Sequence, residues 1–187
     1  NIQTIYREAP KGVGTSIMHM QEGLNPFLAT VGLKIEPAGR GTGLRYISNV
    51  SVGSLPRSFQ NAIEEAVIKT SKQGLFGWEV TDAKVTLTCG EFFSPASTPA
   101  DFRNVTPMVF MEALYKAQTV LLEPLHEFEL RIPQNVLSKA IWDLETMRAT
   151  FDNPIIIEDE FSIKGLIPVE NSKEYKMKIA SYTQGKG

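Results

Sequence analysis

Side chains able to do covalent or metal chemistry are few in this chain. His19, His126 and Cys89 are its only histidines and cysteine. None stands at the spacing of a metal motif or a nucleophile–base–acid triad. Both histidines fall in alternating, strand-like stretches, and His126 shares an apolar face with Phe128, Leu130 and Ile132, which reads as a hydrogen-bonded core histidine. Small ferredoxin-like phosphatases hold phosphate on a loop with an arginine. Pro133-Gln134-Asn135, the loop after the first strand of the second half, has no such glycine-rich cradle or adjacent arginine. Gly39, Gly41 and Gly43, flanked by Arg40 and Arg45, could bring backbone N–H groups to an anion. Dinucleotide and P-loop motifs need a helix directly after the glycines, and here β-type residues follow. The open readings are a loose hairpin tip or a backbone contact to RNA phosphate.

A sharper signal lies between Glu91 and Asp101. From Ala83 to Cys89 the odd positions are apolar and the even ones are Lys84, Thr86 and Thr88, the alternation of a strand with one buried face. Beyond it Thr98 suits an N-cap, Pro99 the first helical position and Asp101 the acid of a capping box. Ser94-Pro95-Ala96 is then the tip of a stiff turn, with Pro95 fixing its own φ and restricting Ser94. From these residues alone an ordinary strand-to-helix connection is the simplest reading.

The elements that position this turn follow from periodicity. Thr4–Glu8 and Thr15–Met20 read as strands around the turn-rich Ala9–Gly14. Thr30–Glu36 and Tyr46–Val52 read as a hairpin joined by the glycine-rich loop. A helix from Leu55-Pro56 buries Phe59, Ala62, Ile63, Ala66 and Val67; Gln73-Gly74 ends it, the glycine as a left-handed residue. Phe76 and Trp78 are expected between helix and sheet, with a base-stacking platform as the alternative. The helix after Thr98 reaches Gln118 and is either kinked at Pro107 or begins later. Val120–Pro124 marks a boundary. Beyond it come a strand (His126–Ile132), a helix (Val136–Met147), strands at Ile155–Glu158 and Phe161–Ile167, and a helix from Glu170 to Tyr182 with Tyr175, Ile179 and Tyr182 inward. This βαββα order is a split βαβ unit without its final strand, which would leave the first strand's edge open to pairing between molecules.

The run Phe93-Ser94-Pro95-Ala96-Ser97-Thr98-Pro99-Ala100-Asp101-Phe102 resembles the tip loop of the fourth domain of ribosomal-protection tetracycline-resistance proteins, relatives of elongation factor G. Asn25-Pro26-Phe27, Ser58-Phe59-Gln60-Asn61-Ala62, Gln73-Gly74-Leu75-Phe76-Gly77-Trp78 and Leu121-Leu122-Glu123-Pro124 agree with that family in order and approximate spacing. Elongation factor G itself has a glycine-rich first loop and a histidine at the third tip, where this chain has Asn25-Pro26-Phe27 and Ser94-Pro95-Ala96. Phe92 and Phe93 stand where the resistance proteins commonly carry tyrosines.

The resemblance implies an α+β chain of two domains. Residues 1–121 would form a ribosomal protein S5 domain 2-like α/β domain, and residues 122–187 a ferredoxin-like split βαβ domain lacking its last strand. It further implies a fragment that binds the bacterial ribosome in the cytoplasm and displaces tetracycline indirectly from the small-subunit rRNA decoding site. Ser94, Pro95, Ala96, Phe93, Asn25, Pro26, Arg40 and Arg45 would make the contacts. GTP and Mg2+ would belong to an N-terminal domain of the parent protein, leaving this chain without catalysis, cofactor or metal. An elongation factor acting in translocation without resistance activity, and a free-standing RNA-binding module, are the alternatives.

Composition is compatible with this. With 187 residues, 42% of them hydrophobic, the chain can bury about 70% of its unfolded surface. No apolar run approaches the roughly 20 residues of a membrane span, and no signal peptide is evident. Asn1 in place of an initiator methionine suggests a piece of something longer. The lone Cys89 excludes an internal disulfide framework and fits a reducing compartment. Residues 1–121 carry 11 Lys and Arg against 10 Asp and Glu, and residues 122–187 carry 8 against 11. Neither half has the basic composition of a general RNA or DNA binder, so any RNA contact rests on a few placed groups.

Overall fold

The computed structural model describes residues 4–183 and 187, with Tyr182 described by its backbone alone. The chain divides into two compact units, one of Tyr6–Leu122 and one holding Glu123 onward.

In chain order the first unit contains β1 (Arg7–Pro10), β2 (Gly14–Met18), β3 (Ala29–Pro37), β4 (Leu44–Ser48), α1 (Arg57–Thr70), β5 (Glu79–Val80), β6 (Ala83–Phe92), α2 (Pro99–Ala117) and β7 (Thr119–Leu122). The four-stranded sheet has the order β2-β3-β6-β4, with β4 parallel to β6 and the other pairs antiparallel. One face of it carries the helices. Val31, Leu33, Ile35, Val85 and Leu87 are buried in one core with Phe59, Ile63 and Val67 of α1 and Phe102, Val109, Phe110 and Leu114 of α2. The apolar stripe of α1 is the one its spacing predicts. Gly14 brings β2 directly onto α2, because a Cβ there would overlap the Ala113 carbonyl oxygen. Gly14→Ala is therefore expected to cost about 1–3 kcal/mol, the usual penalty of overpacking, read as a lowered melting temperature.

Several expectations are corrected. β3 and β4 are not a hairpin: β6 lies between them, so the chain leaves β4, climbs α1 and returns as a parallel crossover. Ala9 and Pro10 are strand rather than turn, since β1 forms a second sheet between β5 and β7. Val120–Leu122, the first part of the expected boundary at Val120–Pro124, belongs to the β7 strand on β1. Gly74 is not left-handed; Ser71 caps α1, and Gly74 instead leaves room for Glu8, whose Oε1 would lie 2.5 Å from a Cβ. Phe76 is 63% exposed rather than packed. The helix after Thr98 is continuous through Pro107 and begins at Pro99; the Thr106 hydroxyl donates to the Phe102 carbonyl at 2.6 Å.

Glu8 organises the end of this unit remote from the β6–α2 turn. Its carboxylate, fully buried, accepts the Phe76 and Trp78 N–H groups at 2.8 and 2.9 Å and the Thr119 hydroxyl at 2.9 Å. One side chain thus ties the α1–β5 connection to β7.

The second unit runs β8 (Leu125–Pro133), α3 (Leu137–Thr146), β9 (Thr150–Phe151), β10 (Ile155–Ile157), β11 (Glu160–Pro168) and α4 (Val169–Thr183). Its antiparallel sheet has the order β10-β11-β8, with short β9 also on β11. The helices bury Leu130, Ile132, Leu144, Ile163, Ile167, Tyr175 and Ile179 against it. This is the expected split βαβ succession, and among the described residues the outer edge of β8 has no strand partner. The side chain of Tyr182, and Gln184-Gly185-Lys186, lie outside the described residues. His126 is exposed rather than in the core, its Nδ1 3.5 Å from the Ser172 hydroxyl.

Candidate functional site

The register of β3 on β6 places Ala29 opposite Phe92 at one end and Pro37 opposite Ala83 at the other. The loop entering β3 and the loop leaving β6 are therefore neighbours, and two side chains join them. The Ser97 hydroxyl accepts the Phe93 N–H at 2.8 Å and donates to the Leu28 carbonyl at 2.5 Å. The Asp101 carboxylate accepts the Thr98 N–H at 2.8 Å and the Thr98 hydroxyl at 3.0 Å, and its other oxygen accepts the Leu28 N–H at 3.3 Å. Leu28 is thus held at both its N–H and its carbonyl by residues some 70 positions later. The capping box was legible in the sequence; its second use as a clamp between loops was not.

Asn25, expected as a contact residue, is 1% exposed. Its amide donates to the His19 and Ala29 carbonyls at 3.0 and 2.8 Å and accepts the Phe27 N–H at 2.9 Å. Its hydrogen-bonding capacity is spent on holding the loop, so it shapes the tip without being able to reach a partner. Pro26 is exposed beside Leu24, which is 80% exposed. Phe93, Ser94, Pro95 and Ala96 are all exposed, and the Ser94–Pro95 peptide is cis. The two phenylalanines divide: Phe92 turns inward, 5.4 Å from Phe59, which stacks on Phe102 at 4.7 Å, while Phe93 points out with 56% of its surface exposed. The result is an apolar ridge on an aromatic foundation.

A third loop shares this end. β4 runs parallel to β6 and stops opposite Leu87, and Asn49–Leu55 continues past it until Leu55 fills the space a Cβ on Gly90 would take. The Gln60 amide braces it by donating to the Val50 and Leu55 carbonyls, each at 3.0 Å, and Val52 is left 48% exposed. Sequence reasoning missed this loop because its strand was paired wrongly.

Arg40 and Arg45 are not at the tip. The glycine-rich loop follows Pro37, at the opposite end of the sheet. Its Gly41 and Gly43 N–H groups donate to the buried Asp82 carboxylate at 3.0 and 3.2 Å, with Arg40 3.9 Å away. The cradle that could have held phosphate holds the protein's own anion. Cys89 is no better placed for chemistry: burial, with the Glu91 charge beside it, pushes its thiol up against the opposing Thr88 hydrogen bond, which disfavours the nucleophilic thiolate. Among the described residues no cluster of His, Cys, Asp or Glu could hold a metal, and no helix is long and apolar enough to cross a membrane.

Ser97→Ala is expected to cost about 1 kcal/mol, the net value of an ordinary hydrogen bond. The Phe93 amide should also exchange faster with solvent, and hydrogen exchange of that amide checks it.

The fold of both units, an α/β layer and an antiparallel ferredoxin-like layer, recurs in a crystal structure of a Thermus thermophilus protein. It matches 98% of this chain and 28% of its own with a TM-score of 0.81 and 24% identity, a likeness of fold. Residues 2–118 match the family model Elongation factor G, domain IV, and residues 120–187 match Elongation factor G C-terminus. The chain belongs to the elongation factor G family. It is 90% identical over all 187 residues to the Tetracycline resistance protein TetP of Clostridium perfringens. Identity is 44% over 98% of the chain to TetO of Campylobacter coli and 40% over 97% to TetM of Staphylococcus aureus. The chain spans less than a third of those relatives, 29%, 29% and 28% of their lengths.

Proposed function

We propose that this chain is the ribosome-contacting part of a tetracycline-protection factor that works in the cytoplasm, and that its tip ridge displaces the drug from the small-subunit decoding site. The observation that carries the reading is the outward run Phe93–Ala96, locked through Ser97 and Asp101 to the Asn25–Leu28 loop. The names borne by relatives 40–90% identical to it support the same reading.

The ridge acts by shape. Pro95 and Pro26 have fixed φ and lose little entropy on docking, while Phe93 and the proline rings offer flat apolar faces to a nucleobase. Phe93 has no hydroxyl, so it stacks without donating a hydrogen bond. An apolar wedge against a base of the decoding site would reshape the drug's pocket without touching the drug. Asn25 belongs to this machinery as the residue that holds the loop, whereas Arg40 and Arg45 stand apart from it. GTP and Mg2+ would be bound elsewhere in the longer protein, and this chain would supply recognition and no catalytic group.

Production of the full-length protein in a sensitive bacterium is expected to raise tetracycline tolerance, and the purified protein with GTP to release labelled tetracycline from ribosomes. Ribosome-stimulated GTP hydrolysis without drug release would replace this reading with a translocation-type factor. Absence of both would leave only an RNA-binding module.

A further inference from the structure

The four-stranded sheet of the first unit carries α1 and α2 on one face only. Leu33, Ile35, Val85 and Leu87 point into that core and are fully buried. Their sequence neighbours therefore stand on the face away from the helices: half-buried Lys34 and Glu36 of β3, half-buried Lys84 and buried Thr86 of β6, and, beside core-packed Leu44 and Tyr46, exposed Arg45 and Ile47 of β4.

The register lines these groups up. Glu36 is opposite Lys84, and Lys84 is opposite Arg45; the next row reads Thr15, Lys34, Thr86, Ile47. Strands lie about 4.8 Å apart, so Arg45 and Lys84 stand side by side with Lys34 one row on. Glu36 is engaged by Lys34 at 3.5 Å. Among the described residues Arg45 and Lys84 have no carboxylate partner. Glu91 stands across from Thr30, at the far end of the sheet by the tip. Like charges directly opposite in a sheet destabilise it; the acid across from Lys84, Glu36, is already engaged by Lys34, and Arg45 has Lys84 as its cross-strand neighbour.

We infer that this face is a second docking surface, for an RNA sugar–phosphate backbone. Arg45 and Lys84 each neutralise one phosphate, and Lys34 can exchange Glu36 for a third. The contact carries no base sequence, because it uses the flat face of a sheet and point charges. Arg45, which does not serve the tip, acquires its role here. This inference rests on the proposed action at the ribosome and deepens it by naming a second surface and its chemistry.

The test uses the full-length protein and purified small ribosomal subunits, titrated with salt between about 50 and 200 mM. The Arg45→Gln/Lys84→Gln double variant is expected to bind roughly tenfold or more weakly at low salt, with its log–log salt slope reduced by about 2. Arg45→Lys should keep the parental slope, since a phosphate needs only the charge, and Lys69→Gln on α1 should be neutral. The same deficit should appear on protein-free small-subunit RNA. A deficit on intact subunits alone assigns the surface to an acidic ribosomal protein and overturns the inference. So does a double variant that matches the parent on both. Failure of the parent itself to bind subunits removes the ribosomal reading, and this surface with it.

Discussion

Replacing Ser94, Pro95 and Ala96 together by glycine in the full-length protein should abolish most tetracycline release while leaving ribosome-stimulated GTP hydrolysis near the parental rate. All three side chains are exposed and outside the core. β6 keeps its pairing to β3, and Asp101 keeps both its cap and its hold on Leu28. What is lost is the wedge, worth about 1–3 kcal/mol on the scale of one stacked base, together with the stiffness that makes docking cheap in entropy. Melting of the variant should fall by little. Release of labelled drug at the parental rate would reduce this loop to a connection and remove the central element of the proposed function.

Glu8→Ala is expected to be the most destabilising single change, at about 3–5 kcal/mol. It orphans the Phe76 and Trp78 N–H groups and the Thr119 hydroxyl in a part-buried site, and each abandoned donor costs about 1–3 kcal/mol, less where water can enter. Gly74→Ala attacks the same arrangement from the other side, since its Cβ would meet the Glu8 carboxylate at 2.5–2.9 Å. Denaturant unfolding of the two variants and their combination checks this. The double change should cost much less than the sum of the singles, because both break one network. Additive losses would mean that Gly74 matters for some other reason.

Much of the fold was legible because the core faces are periodic. The buried residues of α1 and the odd positions of the β6 strand up to Leu87 were read directly. Pairing was not, since alternation shows which face of a strand is buried and is silent about its neighbours; hence β3 and β4 were joined as a hairpin across the strand that separates them. β7 escaped because it is four residues long and its partner lies more than 100 positions earlier. At the tip, residue types located the Ser94-Pro95-Ala96 turn and the Thr98–Asp101 cap. They misjudged Asn25, because an asparagine beside proline looks the same whether its amide faces outward or inward. Glu8 and Asp82 were invisible as organisers: each is an acid in an unremarkable stretch, and its donors are backbone N–H groups that no side-chain motif records.

The grip of Ser97 and Asp101 on Leu28 bears on how such tips can be exchanged between relatives. A chimaera that takes the Phe93–Asp101 segment from one protein and the Asn25–Leu28 segment from another joins two halves of one hydrogen-bonded assembly whose spacings were never matched. The segments form a single heritable unit although some 70 residues of chain separate them. Recombination within α1 or the strands around it would divide that unit, whereas exchange of the whole first unit would carry it intact.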